Sequence, residues 1–277
     1  MRVDAHHHVW DLAVRDLPWT HGSPVLHRTY TVDDLRPALL RNAIDATVVV
    51  QTCAVAEETA ELLALAAGDP HMRGVVGWAD LTDPAVADRL AALREGPGGR
   101  ALVGLRHPVT DEADPDWLAR SEVRRGLRAA ADAGLVHDLL VGADQLPAAV
   151  RAVRELPEVR FVLDHAGNPV TDPDAFALWA GHMAALAACP NVAVKLSGLV
   201  TRTTGDPVRT LRPFTDVLLS ALGPQRLMYG SDWPVCLPAA GYDEVLTLAE
   251  TLTAGLGTEE SEAVFGTTAA RWYGIGA

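Results

Sequence analysis

Lysine is almost missing from this chain of 277 residues: of its 23 basic side chains 22 are arginine and one, Lys195, is lysine. Cysteine is nearly as scarce. Cys53, Cys189 and Cys236 are odd in number, widely scattered and without a CxxC spacing. That pattern argues against a disulfide scaffold and suits a reducing compartment, with the thiols as small buried hydrophobes. Long apolar runs are missing too. Although 49% of the residues are hydrophobic, no stretch approaches the roughly 20 residues of a membrane helix, and no basic segment followed by an apolar one precedes Asp4. A soluble, unexported, cytoplasmic chain is expected. No GxGxxG follows the first strand-like segment, so a dinucleotide site has no support. No Ser/Gly-rich linker, repeat or low-complexity segment divides the sequence, so residues 1–277 are expected to form one domain. The net charge of −13 is spread over helical stretches rather than gathered in a tail, which argues against nucleic acid and anionic membrane as partners. The expected partner is a small molecule, with assembly into a homo-oligomer left open.

What is present is an alternation that runs from end to end. Short β-branched segments (RVDAHHHV, DATVVVQT, MRGVVGWAD, ALVGLRHP, LVHDLLV, VRFVLDHAG, NVAVKLSG, RLMYGSDW) alternate with longer amphipathic ones such as EETAELLALAAG and EVRRGLRAAADAG. Strand followed by helix throughout predicts a parallel sheet covered by helices, and eight such units in about 250 residues match a (β/α)₈ TIM barrel. The segment TEESEAVFGTTAARWYG adds a C-terminal extra helix. An open doubly wound sheet is the alternative.

In such a barrel, inward residues at the carboxyl ends of the strands build the active site. The histidine run near the start is flanked by Val3, Val9 and Trp10 and belongs to the fold rather than to a tag. Period-two alternation puts Asp4, His6 and His8 on one face and Val3, Ala5, His7 and Val9 on the other. His7 is then a packing or supporting residue, while His6 and His8 can direct two imidazoles to one cation. On the sixth strand Phe161, Leu163 and His165 align; on the eighth, Asp232 follows LMYGS. His6, His8, His165 and Asp232 are therefore the candidate metal ligands. Their nitrogen and carboxylate donors suit one divalent ion, Zn²⁺ first, with Mn²⁺ or Fe²⁺ as alternatives. An open coordination position would lower the pKa of a bound water to about 7. A lone histidine in such a position is more often a hydrogen-bonded structural residue than a ligand.

Arg106 closes ALVGLRHP in phase with Leu102 and Gly104, where a guanidinium can hold a carboxylate or a hydroxyl-rich ligand; as a surface arginine it would be ordinary. Lys195 shares a face with Ala193 and Ser197 in NVAVKLSG, which aims a buried ammonium into the barrel mouth. Lysine in a chain that otherwise uses arginine implies a compact point charge or a steric limit. Ser197 is a candidate substrate contact. Trp10, Trp19, Trp78 and Trp233 lie near strand ends or early loops, where an indole can stack on a sugar ring or pack in the core. Gln51 ends the second strand and can donate to a substrate hydroxyl.

The order DxHxH on strand one, histidine ending strand six and aspartate ending strand eight resembles the amidohydrolase superfamily. More narrowly, DAHHHVWD, LPW, VVGWADL, GLRHP, HDLLV, DQLP, VLDHAGNP, VKLSGL, YGSDWPV and TAARWYG resemble its sugar-lactonase branch of L-fuconolactonases and L-rhamnonolactonases, in order and over essentially the whole chain. The resemblance implies a carboxylic-ester hydrolase of carbohydrate metabolism. It would open an aldonolactone or related cyclic ester, with His6, His8, His165 and Asp232 as the catalytic centre and Asp232 handling protons. No histidine ends strand five and no bridging carbamylated lysine is evident, which argues against a binuclear centre. Some relatives in this branch work without a metal, so metal-independent catalysis stays open. Asn168 stands in DHAGNP where many relatives carry lysine, a departure that bears on substrate. Two other functions remain: a metal-dependent decarboxylase of a small aromatic or unsaturated acid, and a non-catalytic sugar-acid-binding barrel.

Overall fold

The computed structural model describes residues 1–276. Eight parallel strands, β1 (Val3–His7), β2 (Ala46–Val50), β3 (Met72–Gly77), β4 (Leu102–Pro108), β5 (Val136–Leu140), β6 (Phe161–Leu163), β7 (Val192–Leu196) and β8 (Leu227–Tyr229), pair in sequence order. One helix follows each strand: α1 (Val32–Arg41), α2 (Ala56–Gly68), α3 (Val86–Glu95), α4 (Ser121–Asp132), α5 (Leu146–Glu155), α6 (Pro173–Ala187), α7 (Pro207–Leu222) and α8 (Tyr242–Leu252). This is the (β/α)₈ barrel that the alternation predicts. The helices form where an apolar stripe recurs at helical spacing. In α4 the buried residues are Val123, Gly126, Leu127 and Ala130, three and four positions apart. Starts are set by capping side chains: Thr31 and Asp34 make a reciprocal box on α1, and the Asp172 and Asp206 carboxylates accept the first amides of α6 and α7.

Two apolar layers result. The outer one lies between strands and helices and includes Val49, Val75, Leu105, Leu139, Phe161, Leu163 and Val194. The inner one fills the lower barrel with Val3, Ala5, Val48, Val76, Val103, Val136, Val162, Ala193 and Met228. The C-terminal run closes it from below. It passes from α9 (Thr258–Glu262) through a π-helical stretch (Ala263–Thr267) into α10 (Thr268–Tyr273), and brings Trp272, Tyr273 and Ile275 against the inner layer.

The expected phase of β1 needs correcting. Asp4 does not share a face with His6: its carboxylate accepts from the Tyr242 hydroxyl of α8, while Val3 and Ala5 face the barrel interior. The pairing of β1 with β2 slips between Asp4 and His7, so β1 carries an extra residue, and a bulge of this kind reverses which side chains point inward. His6 and His8 thus face in despite Ala5. The pairing of β3 with β4 slips in the same way beside Val103, and Leu102, expected in phase with Arg106, packs in the outer layer.

Candidate active site

The barrel closes between β1 and β8, and three of the four candidate ligands, His6, His8 and Asp232, sit on that seam. The His8 amide donates to the Trp233 carbonyl at 2.7 Å and the Asp232 amide to the His6 carbonyl at 2.8 Å. These bonds lock the three side chains into one register. His6 Nε2 and His8 Nε2 are 3.1 Å apart, and Asp232 Oδ1 lies 3.6 Å from the first and 3.5 Å from the second. Donors on a tetrahedral Zn²⁺ with bonds near 2.1 Å would be about 3.4 Å apart. His8 Nδ1 is 2.8 Å from the Val50 carbonyl, an acceptor only, so this nitrogen carries the proton and Nε2 presents a bare lone pair. The triangle therefore has the spacing and donor chemistry of a metal site.

Backbone conformation makes room for it. Asp232 is in the left-handed region at φ 56, as is His165 at φ 51, a strained state for residues with a Cβ. Gly198, at φ +65, lies so close that a Cβ there would sit 2.6 Å from His165 Nδ1 and 3.0 Å from Asp232 Oδ2. Only glycine fits.

His165 does not join the first triangle. It groups instead with His6 and Asp164, its ring centroid 4.7 Å from that of His6, and Ser197 Oγ is 2.9 Å from its Nδ1. The inward residue at the end of β6 is Asp164, in phase with Val162; His165 reaches the centre by its left-handed turn. Asp138 is the inward residue of β5, in phase with Val136. Both carboxylates flank Lys195, whose Nζ lies 2.5 Å from Asp138, 3.0 Å from Asp164 and 3.1 Å from His6 Nδ1. Lys195 is completely buried and supports the site from beneath, which places it below the mouth into which the strand pattern aimed it. Tyr273 of α10 donates to the Asp138 carboxylate at 2.9 Å. Arg106 is 3.2 Å from Asp164 and 3.5 Å from His6 Nε2, and it donates to the Gln51 carbonyl. Gln51 Nε2 returns a bond to the Arg106 carbonyl at 3.1 Å, clamping the two strands.

Burial and charge set the protonation of this layer. Desolvation pushes His6 well below the ordinary imidazole value, with Lys195 adding to the effect, and lowers His8 to about 3, with Arg106 adding. His165 is lowered by burial, against the pull of Asp232. All three are neutral at pH 7, the form that can ligate or accept a proton. Burial raises the Asp232 carboxyl, opposed by His165 and Arg106. Asp164 is driven up by burial, but Lys195, His6 and Arg106 outweigh it and hold the carboxyl well below its usual range.

Above this floor opens a cavity of about 610 Å³. His8, His165, Asp232, Arg106 and Gln51 line its base; Trp19, Thr52, Thr110, Asp111, Asn168, Thr201 and Arg202 line its walls. Of the four tryptophans singled out, only Trp19 lines it. Trp10 donates to the Arg28 carbonyl and packs in an aromatic cluster with Trp19 and Tyr30, and Trp233 packs on Tyr30. Trp78 donates to His107. His7 is buried with neither ring nitrogen bonded. The sequence overlooked Asp138 and Asp164, although strand alternation marks both. It also overlooked Arg202, which donates to the Asn168 side chain at 2.6 Å and had no signal, being one of many loop arginines.

The amidohydrolase family model matches residues 3–275. An L-fucono-1,5-lactonase of Burkholderia multivorans is 40% identical over 99% of this chain and 96% of its own length, and one of Burkholderia ambifaria is 34% identical with the same coverage. Crystal structures of an amidohydrolase from Burkholderia multivorans, one with bound HEPES and one with bound zinc, superpose with a TM-score of 0.94 at 40% identity, each covering 100% of both chains.

Proposed function

The chain belongs to the amidohydrolase family and is a lactone hydrolase of that superfamily, and on that premise we propose that it opens a small sugar-acid lactone with a water deprotonated by Asp232. The observation that carries this reading is the Asp232 carboxylate at the floor of the cavity, 3.5 Å from a neutral imidazole and raised in pKa by burial. A base with a raised pKa is better matched to a proton from water.

The step runs as follows. Asp232 takes one proton as the water oxygen bonds to the lactone carbonyl carbon. The oxyanion that forms would face Arg106 and the neutral imidazole of His165; with the Ser197 hydroxyl, 2.9 Å from Nδ1, donating there, His165 Nε2 would be the donor to it. The tetrahedral carbon then expels the ring oxygen, and Asp232 returns its proton to that departing alkoxide. Water is added across one C–O bond and the aspartate ends as it began. Arg202, Asn168, Gln51 and the threonines of the cavity wall offer donors and acceptors to the hydroxyls of a sugar acid, and Trp19 offers an apolar face.

His6, His8 and Asp232 would hold a divalent ion, Zn²⁺ by donor type and spacing. When bound, such an ion polarises a carbonyl and acidifies water. Lys195 Nζ and Asp164 Oδ1, 3.1 and 3.4 Å from His6 Nδ1, would hold the His6 ring in place beneath it.

The test is a pH-indicator screen of aldonolactones, L-fucono-1,5-lactone among them, with and without chelator and with metal analysis of the same sample. Acid release from a hexonic lactone at a kcat/KM of at least ~10⁴ M⁻¹s⁻¹ is expected. No release from any lactone, or CO₂ release from dihydroxybenzoates instead, overturns the proposal.

A further inference from the structure

We propose a second divalent-metal site, outside the barrel, formed by Asp16, His21 and His27 on the loop between β1 and α1. One ligand atom from each of these exposed residues comes within 4.8 Å of the others. His21 Nε2 donates to Asp16 Oδ1 at 2.8 Å, a hydrogen bond that ion binding would replace, and the His21 and His27 rings meet edge to face with centroids 4.9 Å apart.

The second observation is how His27 is held. Thr20 is buried, and its hydroxyl donates its only proton to the Leu17 carbonyl at 2.7 Å. The same Oγ1 lies 3.0 Å from His27 Nδ1, so it must accept there, and Nδ1 carries the proton. His27 Nε2 is left as a bare lone pair. A threonine fixing the tautomer of an imidazole is the supporting contact that ligating histidines have. Two imidazoles and a carboxylate, with further positions open to water, suit Zn²⁺ over Ca²⁺ or Mg²⁺.

The site has a structural consequence. Asp16 and His27 bracket the short turn Pro18–Thr20, and Pro18 and Trp19 of that turn line the catalytic cavity. An ion joining the two flanks would hold Trp19 in its place in the cavity lining. Occupancy is therefore expected to act on KM, with kcat unchanged.

The experiment is a titration with Zn²⁺ alone, followed by competition with a chromophoric chelator, on the folded full chain. Intact protein is expected to take up one more Zn²⁺ than either His21→Ala or His27→Ala. The His6→Ala/His8→Ala double variant, with its barrel triangle dismantled, should still bind one. Thr20→Val, which keeps every ligand but frees the tautomer, is expected to weaken this ion ~10-fold, a change that chance surface binding would not show. Stoichiometry and affinity unchanged in both single histidine variants overturn the proposal, as does a Thr20→Val titration identical to wild type. Because the readout is metal uptake, the result stands whatever the lactone screen returns.

Discussion

Three neighbouring strands change character within two residues. On β5 the inward side chain passes from Val136 to Asp138, on β6 from Val162 to Asp164, and on β7 from Ala193 to Lys195. Below that line the barrel interior is an apolar plug capped by Trp272, Tyr273 and Ile275. Above it lie three carboxylates (Asp138, Asp164, Asp232), two cations (Arg106, Lys195) and three neutral imidazoles, all buried. The lower half gains stability from water-excluded apolar packing, while the upper half gives it up, because each charge there lost its hydration and recovers only part of it from its partners. The same backbone serves both. The split is the general one of barrels, stability at the amino ends of the strands and chemistry at the carboxyl ends.

The largest effect that would break this division is expected at Asp232. Asp232→Asn keeps shape and backbone bonds but removes the proton acceptor, so kcat for a lactone is expected to fall ~10²–10⁴-fold, with the urea midpoint unchanged or higher. Steady-state kinetics and denaturation on one preparation check both halves. A variant with undiminished kcat would move the chemistry elsewhere.

Next comes the pillar between the halves. Lys195→Met leaves two buried carboxylates facing each other, and unfolding free energy is expected to drop by ~3–5 kcal/mol. Pairing it with Asp138→Leu should recover part of the loss by removing one of the stranded charges. Urea titration of the single and double variants gives the comparison; equal stability of wild type and Lys195→Met would mean that the ammonium contributes no net pairing. A smaller effect is expected where the plug touches the network. Tyr273→Phe deletes the hydroxyl that donates to Asp138, costing ~2 kcal/mol for a hydrogen bond to a charged group, with kcat changed less than a few-fold.

Strand periodicity carried the architecture because each β-branched run is short and each helix keeps one apolar stripe. Residue facing was legible where the strand is regular: on β7, Lys195 points in and Val194 out as alternation requires. It failed where the backbone departs from regularity. The bulge on β1 separated Asp4 from His6, the slip beside Val103 separated Leu102 from Arg106, and the left-handed turn after β6 lets both Asp164 and His165 reach the centre. Alternation alone selects Asp164 and Asp138, in phase with Val162 and Val136. Trp10, Trp78 and Trp233 could not be sorted from Trp19, since loop conformation decides which indole meets the cavity.

The smallest expected effect isolates the outer face of β5, opposite Asp138. His137 packs edge to face on Phe161 with neither ring nitrogen bonded, and burial, with His107 adding, lowers its pKa to about 3. The sign follows from proton uptake. Between about pH 6.5 and 3 the unfolded chain protonates this imidazole while the folded chain does not, so stability falls as pH falls through that window. His137→Leu removes the uptake. Its stability relative to wild type should rise by ~1 kcal/mol between pH 6.5 and 5.5, with lactone kcat unchanged, because the side chain faces the helices and not the cavity. Parallel acid dependence in the two proteins, measured by urea titration at each pH, would show that His137 finds a proton partner in the folded state, and the outer layer would then be less purely apolar than its contacts imply.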